Sequence, residues 1–183
     1  MTHAVVTIDF ETEAVAPRPE YPPEPVGCAI KYGSEPSRYY AWGHPTGNNC
    51  TKEAGVREVR RAFARPEPKL FHHAKFDLAV AYEKLGVPEL RWDEVHDTTL
   101  LAYLHDPHNR DNGLKELAHS VLGWAPDERD EVAEWIWEHR TALVEEFGGK
   151  ITRAKKGDSS TGAWIGRAPG DIVGRYACGD TDR

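Results

Sequence analysis

Apolar and polar positions alternate sharply near the start of the chain and take on helical spacing later. Val5-Val6-Thr7-Ile8 leads into Asp9, Phe10 and Glu11, and the run 4–11 predicts a strand. Val6, Ile8 and Phe10 fall on one face of it, Asp9 and Glu11 on the other. A Pro-rich loop, "APRPEYPPEP", follows. Next, "VGCAIKYG" and "SRYYAWGH" flank Gly33-Ser34-Glu35-Pro36 and read as a hairpin. Thr51 is placed to cap a helix whose Val56, Val59, Arg60 and Phe63 share helical spacing, with Pro66 and Pro68 beyond its end. "KLFHH" reads as a short buried strand, and "KFDLAVAYEKLG" as a helix turning Phe76 and Val80 inward and closed by Gly86. "EVHD" is another short strand, and "TTLLAYLHD" a helix that Asp97 could cap.

Farther on, Leu114, Leu117, Ala118, Val121 and Leu122 recur at i, i+3, i+4, i+7 and i+8, which predicts an amphipathic helix. "DERDEVAEWIWEHRTALVEEFGG" predicts one longer helix ending at a Gly pair. The polar, basic stretch 150–162 predicts a mobile loop, and a last helix starts near Asp171. Three early strands followed by βαβ-like alternation predict an α/β fold, a mixed sheet with helices on its faces. In such sheets ligands bind outside the carboxyl ends of strands. Asp9 and Glu11 lie at the carboxyl end of the first strand.

A chain of 183 residues suits one domain. No apolar run reaches the roughly 18 residues of a membrane span, so no membrane partner is expected. Cys28, Cys50 and Cys178 are scattered without C-x-x-C, which suits a reducing cytosol and argues against a disulfide framework or zinc ribbon. The net charge of −7 disfavours gripping a long duplex by charge alone. A carboxylate-rich site for divalent metals, by contrast, is acidic by necessity.

Two like charges on one strand face need a cation or strong donor nearby to stay ionised. By itself the pair also fits a strand that has reached solvent. Asp77, just after a buried strand, fits an ordinary first-turn acid favoured by the helix dipole. Tyr176 and Asp180 are four apart and share a helix face. Gly179 between them is costly inside a helix, which is easier to explain if something must approach closely.

Taken in order, "TIDFET", "HHAKFDLAVAYEKLG" and "YACGD" resemble the three motifs of the DEDD-type 3′–5′ exonucleases, in the variant with tyrosine in the third. The connecting text "HDTTLLAYLHDPHNRDNGLKELA" and "WIGRAPGDIVGRYACGDTDR" is similar to the proofreading domain of phage and bacterial family A DNA polymerases. The resemblance implies a ribonuclease H-like fold, a five-stranded mixed sheet whose second strand is antiparallel, with helices on both faces. It implies that Asp9, Glu11, Asp77 and Asp180 hold two divalent cations, Mg²⁺ with Mn²⁺ able to substitute, and that Tyr176 positions the attacking water. It points to the 3′ end of single-stranded DNA as substrate, a polymerase domain on the same or another chain as partner, and a bacterial or phage-infected cytoplasm as location. His73, Lys75 and Phe76 are candidate substrate contacts, as is the basic set Lys150, Arg153, Lys155, Lys156 and Arg167, which equally fits a solvated linker. Phe10 faces away from Asp9 and is expected in the core. Alternatives are a ribonuclease D-like RNA-trimming enzyme and an inactive or incomplete nucleic-acid-binding domain of the same fold.

Two departures stand out. The second motif of these polymerase domains usually reads H-N-x-K-F-D, and here His73 stands at the Asn position, which is expected to make activity more pH-dependent. Only Thr181, Asp182 and Arg183 follow Asp180, where the family's helix continues. The expectation is a single 1–183 exonuclease domain with a truncated, fraying last turn and weakened metal affinity.

Overall fold

Alternation on the central strands gives the sheet two apolar faces, and the fold covers both. The computed structural model describes residues 5–124, 131–152 and 162–183. Among them the strands β1 (Val6–Thr12), β2 (Pro25–Tyr32), β3 (Arg38–Ala41), β4 (Lys69–Phe71) and β5 (Val95–Asp97) form one sheet in the order β3-β2-β1-β4-β5. β2 runs antiparallel to β1 and β3, while β4 and β5 continue parallel to β1. The mixed sheet with an antiparallel second strand is the α/β arrangement expected.

Val6, Ile8 and Phe10 of β1 join Cys28 and Ile30 of β2 under α1 (Lys52–Phe63) and α2 (Ala74–Leu85). On the opposite face Ala29, Tyr39 and Ala41 pack against α5 (Glu131–Glu138) and α7 (Gly170–Asp182). Thr51 caps α1 by accepting from the Ala54 N–H at 3.3 Å. Gly86 closes α2 in the left-handed region, φ 58°.

Three expectations need correction. β4 stops at Phe71, short of the two histidines, because His73 turns left-handed to start α2. The long helix predicted over 127–149 is divided. α5 ends at Glu138, His139 leaves helical geometry (φ −95°, ψ 5°), and α6 (Arg140–Phe147) begins afresh. His139 instead stacks on Trp135 at 4.1 Å. Finally, the apolar stripe of α4 (Leu114–Leu122) is only partly covered. Ala118 is buried, but Val121 and Leu122 stay exposed beside Leu101 of α3 (Thr98–His105), lining an apolar groove of about 300 Å³. The predicted loop at 150–162 falls largely outside the described residues, as do Arg153, Lys155 and Lys156. No described helix is long and apolar enough to cross a membrane.

Candidate active site

β1 delivers the first two acids by simple alternation. With Val6, Ile8 and Phe10 committed to the α1–α2 core, Asp9 and Glu11 are turned to the face that α7 covers. Glu11 is buried and Asp9 half-buried. The third acid, Asp77, sits in the first turn of α2 and is buried. Its Oδ1 accepts the Phe10 N–H at 3.0 Å, which ties α2 to the strand between Asp9 and Glu11. Asp180 is in the last turn of α7, one turn after Tyr176, whose phenol acts to lower the Asp180 carboxyl.

Proximity shows in the electrostatics. Burial, and then the charge of Asp180, push the Asp9 carboxyl up to about 7. Burial and the charge of Asp9 raise Asp77 well above the usual carboxylate range. Asp180 is also raised by burial, against the opposing pull of Lys115, Arg183 and Tyr176. Asp9 is thus crowded by one acid from α7 and another from α2. Hard oxygen donors under mutual repulsion suit divalent cations, whose binding would relieve the crowding. Among the described residues no three acids converge as they stand on one ion position. Part of the reason is visible: Asp77 is turned to the Phe10 N–H, and Asp180 to Tyr176 and Arg183.

A cleft of about 370 Å³ opens beside Glu11, between the end of β1 and α2, lined by Phe10, Thr12, Val15, Phe76 and Ile165. Phe76 therefore stands where a substrate base could reach it. Phe10 belongs to the core, as expected, and also forms part of the cleft wall. Gly166 lets the 3₁₀ turn Gly162–Arg167 lie against β1, since a Cβ there would meet the Thr12 carbonyl oxygen at 3.2 Å. Lys75 is exposed on the first turn of α2. Arg167, one of the basic candidates, is bonded to Glu13 at 2.9 Å and lies over the Phe147 ring.

The 3′–5′ exonuclease family model matches residues 2–183, all but the first residue of the chain. The chain belongs to this family. Solved structures agree on the fold. One described as the "apo form of the nuclease" aligns with TM-score 0.53 and 17% identity over 97% of this chain and 70% of its own. Brucella melitensis NrnC aligns with TM-score 0.51 and 17% identity over 97% of this chain and 83% of its own. No curated protein matches the sequence significantly.

Within this exonuclease domain, His73 holds a left-handed backbone, φ 65° and ψ 49°. Asn, Asp and His tolerate that region better than other side chains, so His can replace the usual Asn without changing the turn. Asp97 fixes the turn by accepting the N–H groups of His73 (3.2 Å) and Ala74 (2.9 Å) while capping α3 through Thr99 N–H (2.9 Å). Sequence reading found only the second of these roles.

It also missed what seats α7. Tyr39 donates to His44 Nε2 at 2.7 Å, and His44 Nδ1 donates to the Ala168 carbonyl at 2.9 Å, just before α7. Tyr39 fills space that Gly27 and Gly174 leave open. Side chains tie the last turn of α7 to the sheet and to itself. Arg183 Nη1 bonds Asp180 at 2.9 Å, Lys31 bonds Asp182 at 2.8 Å, and Thr181 meets the Ser37 hydroxyl. The Asp180–Arg183 spacing was visible in the chain; Lys31 and Ser37 carried no such signal.

Proposed function

We propose that this 3′–5′ exonuclease domain removes nucleotides from the 3′ end of single-stranded DNA with two divalent cations held by Asp9, Glu11, Asp77 and Asp180. The observation that carries the reading is the meeting of three distant segments at Asp9: β1 itself, α2 through the Asp77–Phe10 bond, and α7 through Asp180. Asp9, crowded from both sides, would be the acid shared between the cations. Glu11 and Asp180 would complete one cation's set, and Asp77 would serve the other. Mg²⁺ suits the hard oxygen set, with Mn²⁺ able to replace it. When bound, the cations supply an activated water and a stabilised leaving oxygen for in-line displacement at phosphorus. Tyr176 keeps its phenol beside Asp180 and orients that water by a hydrogen bond. Phe76 and Phe10 offer an apolar wall for the terminal base, consistent with a local grip on an unpaired end. His73 and Lys75, exposed at the start of α2, are the side chains assigned to the DNA backbone. The motif spacing and connecting text, similar to family A polymerase proofreading domains, favour DNA and a polymerase domain as partner.

A 5′-labelled single-stranded DNA and an RNA of the same sequence, each digested with Mg²⁺ or with chelator, test this. The expected result is a ladder of 3′-shortened DNA that disappears with chelator, and RNA trimmed at least several-fold more slowly. RNA trimmed faster than DNA would overturn the substrate assignment in favour of an RNA-trimming enzyme. Cleavage that persists in chelator would overturn the metal assignment.

A further inference from the structure

Lys115 belongs to none of the three motifs, yet it reaches the third. It lies half-buried in the first turn of α4, whose neighbouring Leu114, Leu117 and Ala118 line the groove against α3. Its Nζ stands 5.1 Å from the centre of the Tyr176 ring. A cation at that distance over a ring face is attracted by the ring quadrupole. The Tyr176 ring also packs against the core formed by Ala29, Val173 and Ala177. A helical tyrosine can choose between two χ1 wells, and contacts to its ring select one. Lys115, by its charge, and the phenol of the same ring both act to lower the Asp180 carboxyl.

We propose that Lys115 is a positioning residue for the hydrolysis: from α4 it fixes the Tyr176 ring and steadies the Asp180 carboxylate, keeping phenol and acid paired at the site. This rests on the two-cation reading above. It has a consequence of opposite sign for metal and for turnover. A fixed positive charge beside Asp180 opposes a cation there, so losing it strengthens metal binding. Losing it also frees the Tyr176 ring, so turnover slows.

The test uses the whole chain with Lys115→Met, which keeps an unbranched apolar stem, and Lys115→Arg, which keeps the charge. Each is made alone and with Tyr176→Phe. Turnover of 5′-labelled DNA, Mn²⁺ binding by calorimetry without substrate, and the melting temperature are measured. Lys115→Met is expected to lower kcat about tenfold with KM nearly unchanged, the size of an ordinary contact coupling. Its Mn²⁺ binding should tighten by a few-fold, since a nearby like charge is removed, and Lys115→Arg should recover most of the turnover. With Tyr176→Phe present, Lys115→Met should add less than about twofold, because residues acting as a unit are not additive.

A raised KM with intact kcat would overturn the proposal and make Lys115 a substrate contact. Full additivity with Tyr176→Phe would overturn it, as would weaker Mn²⁺ binding together with a lower melting temperature. An active wild type with an indistinguishable Lys115→Met refutes the role of Lys115 alone. A wild type that shortens neither DNA nor RNA refutes the two-cation reading, and this proposal with it.

Discussion

On β1 and α2 the acids are held by main chain; on α7 they are held by side chains. Asp9 and Glu11 take their direction from strand alternation, and Asp77 is fixed by the Phe10 N–H. The backbone sets the direction in which these side chains leave the sheet and the helix. Asp180 instead is bonded to Arg183 and lies under the influence of Tyr176 and the charge of Lys115, all of them side chains. α7 as a whole is seated by Tyr39, His44 and the glycines beneath them. The strand-borne half is therefore a rigid source of repulsion, strongest at Asp9. The helix-borne half carries its own positive side chains, Lys115 and Arg183. The contrast predicts that metal binding relieves strain on the first half and exchanges partners on the second.

The largest effect should come from the rigid half. Asp9→Ala removes the shared acid and is expected to reduce DNA trimming by at least roughly 10³-fold, several kcal/mol of transition-state stabilisation, measured as single-turnover rates. On the helix side, Tyr176→Phe keeps the ring in its core contact and loses only the hydroxyl. A fall in kcat of roughly 10²-fold is expected, with an unchanged melting temperature. An unchanged rate would show that the phenol has no part in the reaction.

Gly27→Ala tests the seating of α7. The new Cβ would lie 2.0 Å from the Tyr39 hydroxyl, and Tyr39 is held by His44 and lies so close to α7 that a Cβ on Gly174 would meet its ring at 3.0 Å. A destabilisation of about 1–3 kcal/mol is expected in denaturant melts, with a parallel loss of trimming. Thr51→Ala, on the far helix α1, should cost under about 1 kcal/mol and leave trimming untouched.

The pH response gives a subtler contrast. The Asp9 carboxyl titrates near 7 in the folded chain against 3.8 ordinarily, so the folded state keeps a proton that the unfolded chain has lost. Stability without metal should then fall as pH rises from 3.8 toward about 7 and level off above it. Asp9→Asn should flatten that slope by about 1–2 kcal/mol over the same interval. A metal-free protein that grows more stable across this range would contradict the crowding at Asp9.

Much of the first half was legible in the chain. Period-two alternation in 4–11 separates Asp9 and Glu11 from Val6, Ile8 and Phe10, and the structure keeps that division. Helix signals at Thr51, Gly86 and Asp97 mark real caps because they act over two to five residues. What the chain did not signal came without a turn residue or from across the fold. His139 breaks a helix whose sequence has no Gly or Pro there, and its ring stacks on Trp135. The partners of the last turn of α7, Lys31 and Ser37, come from β2 and the approach to β3. Lys115 was invisible for the same reason: its meeting with Tyr176 is a tertiary contact between α4 and α7.

The most direct test of a metal site shared between the two halves is a Mg²⁺ and Mn²⁺ titration of the melting temperature at pH 8, on wild type, Asp9→Asn and Asp180→Asn. The wild-type melting temperature should climb with metal, because a ligand bound by the folded state alone stabilises it. Both variants should respond weakly, Asp9→Asn from a higher metal-free starting point. If Asp180→Asn climbed as steeply as wild type, α7 would contribute no metal ligand, and the joint site would be contradicted.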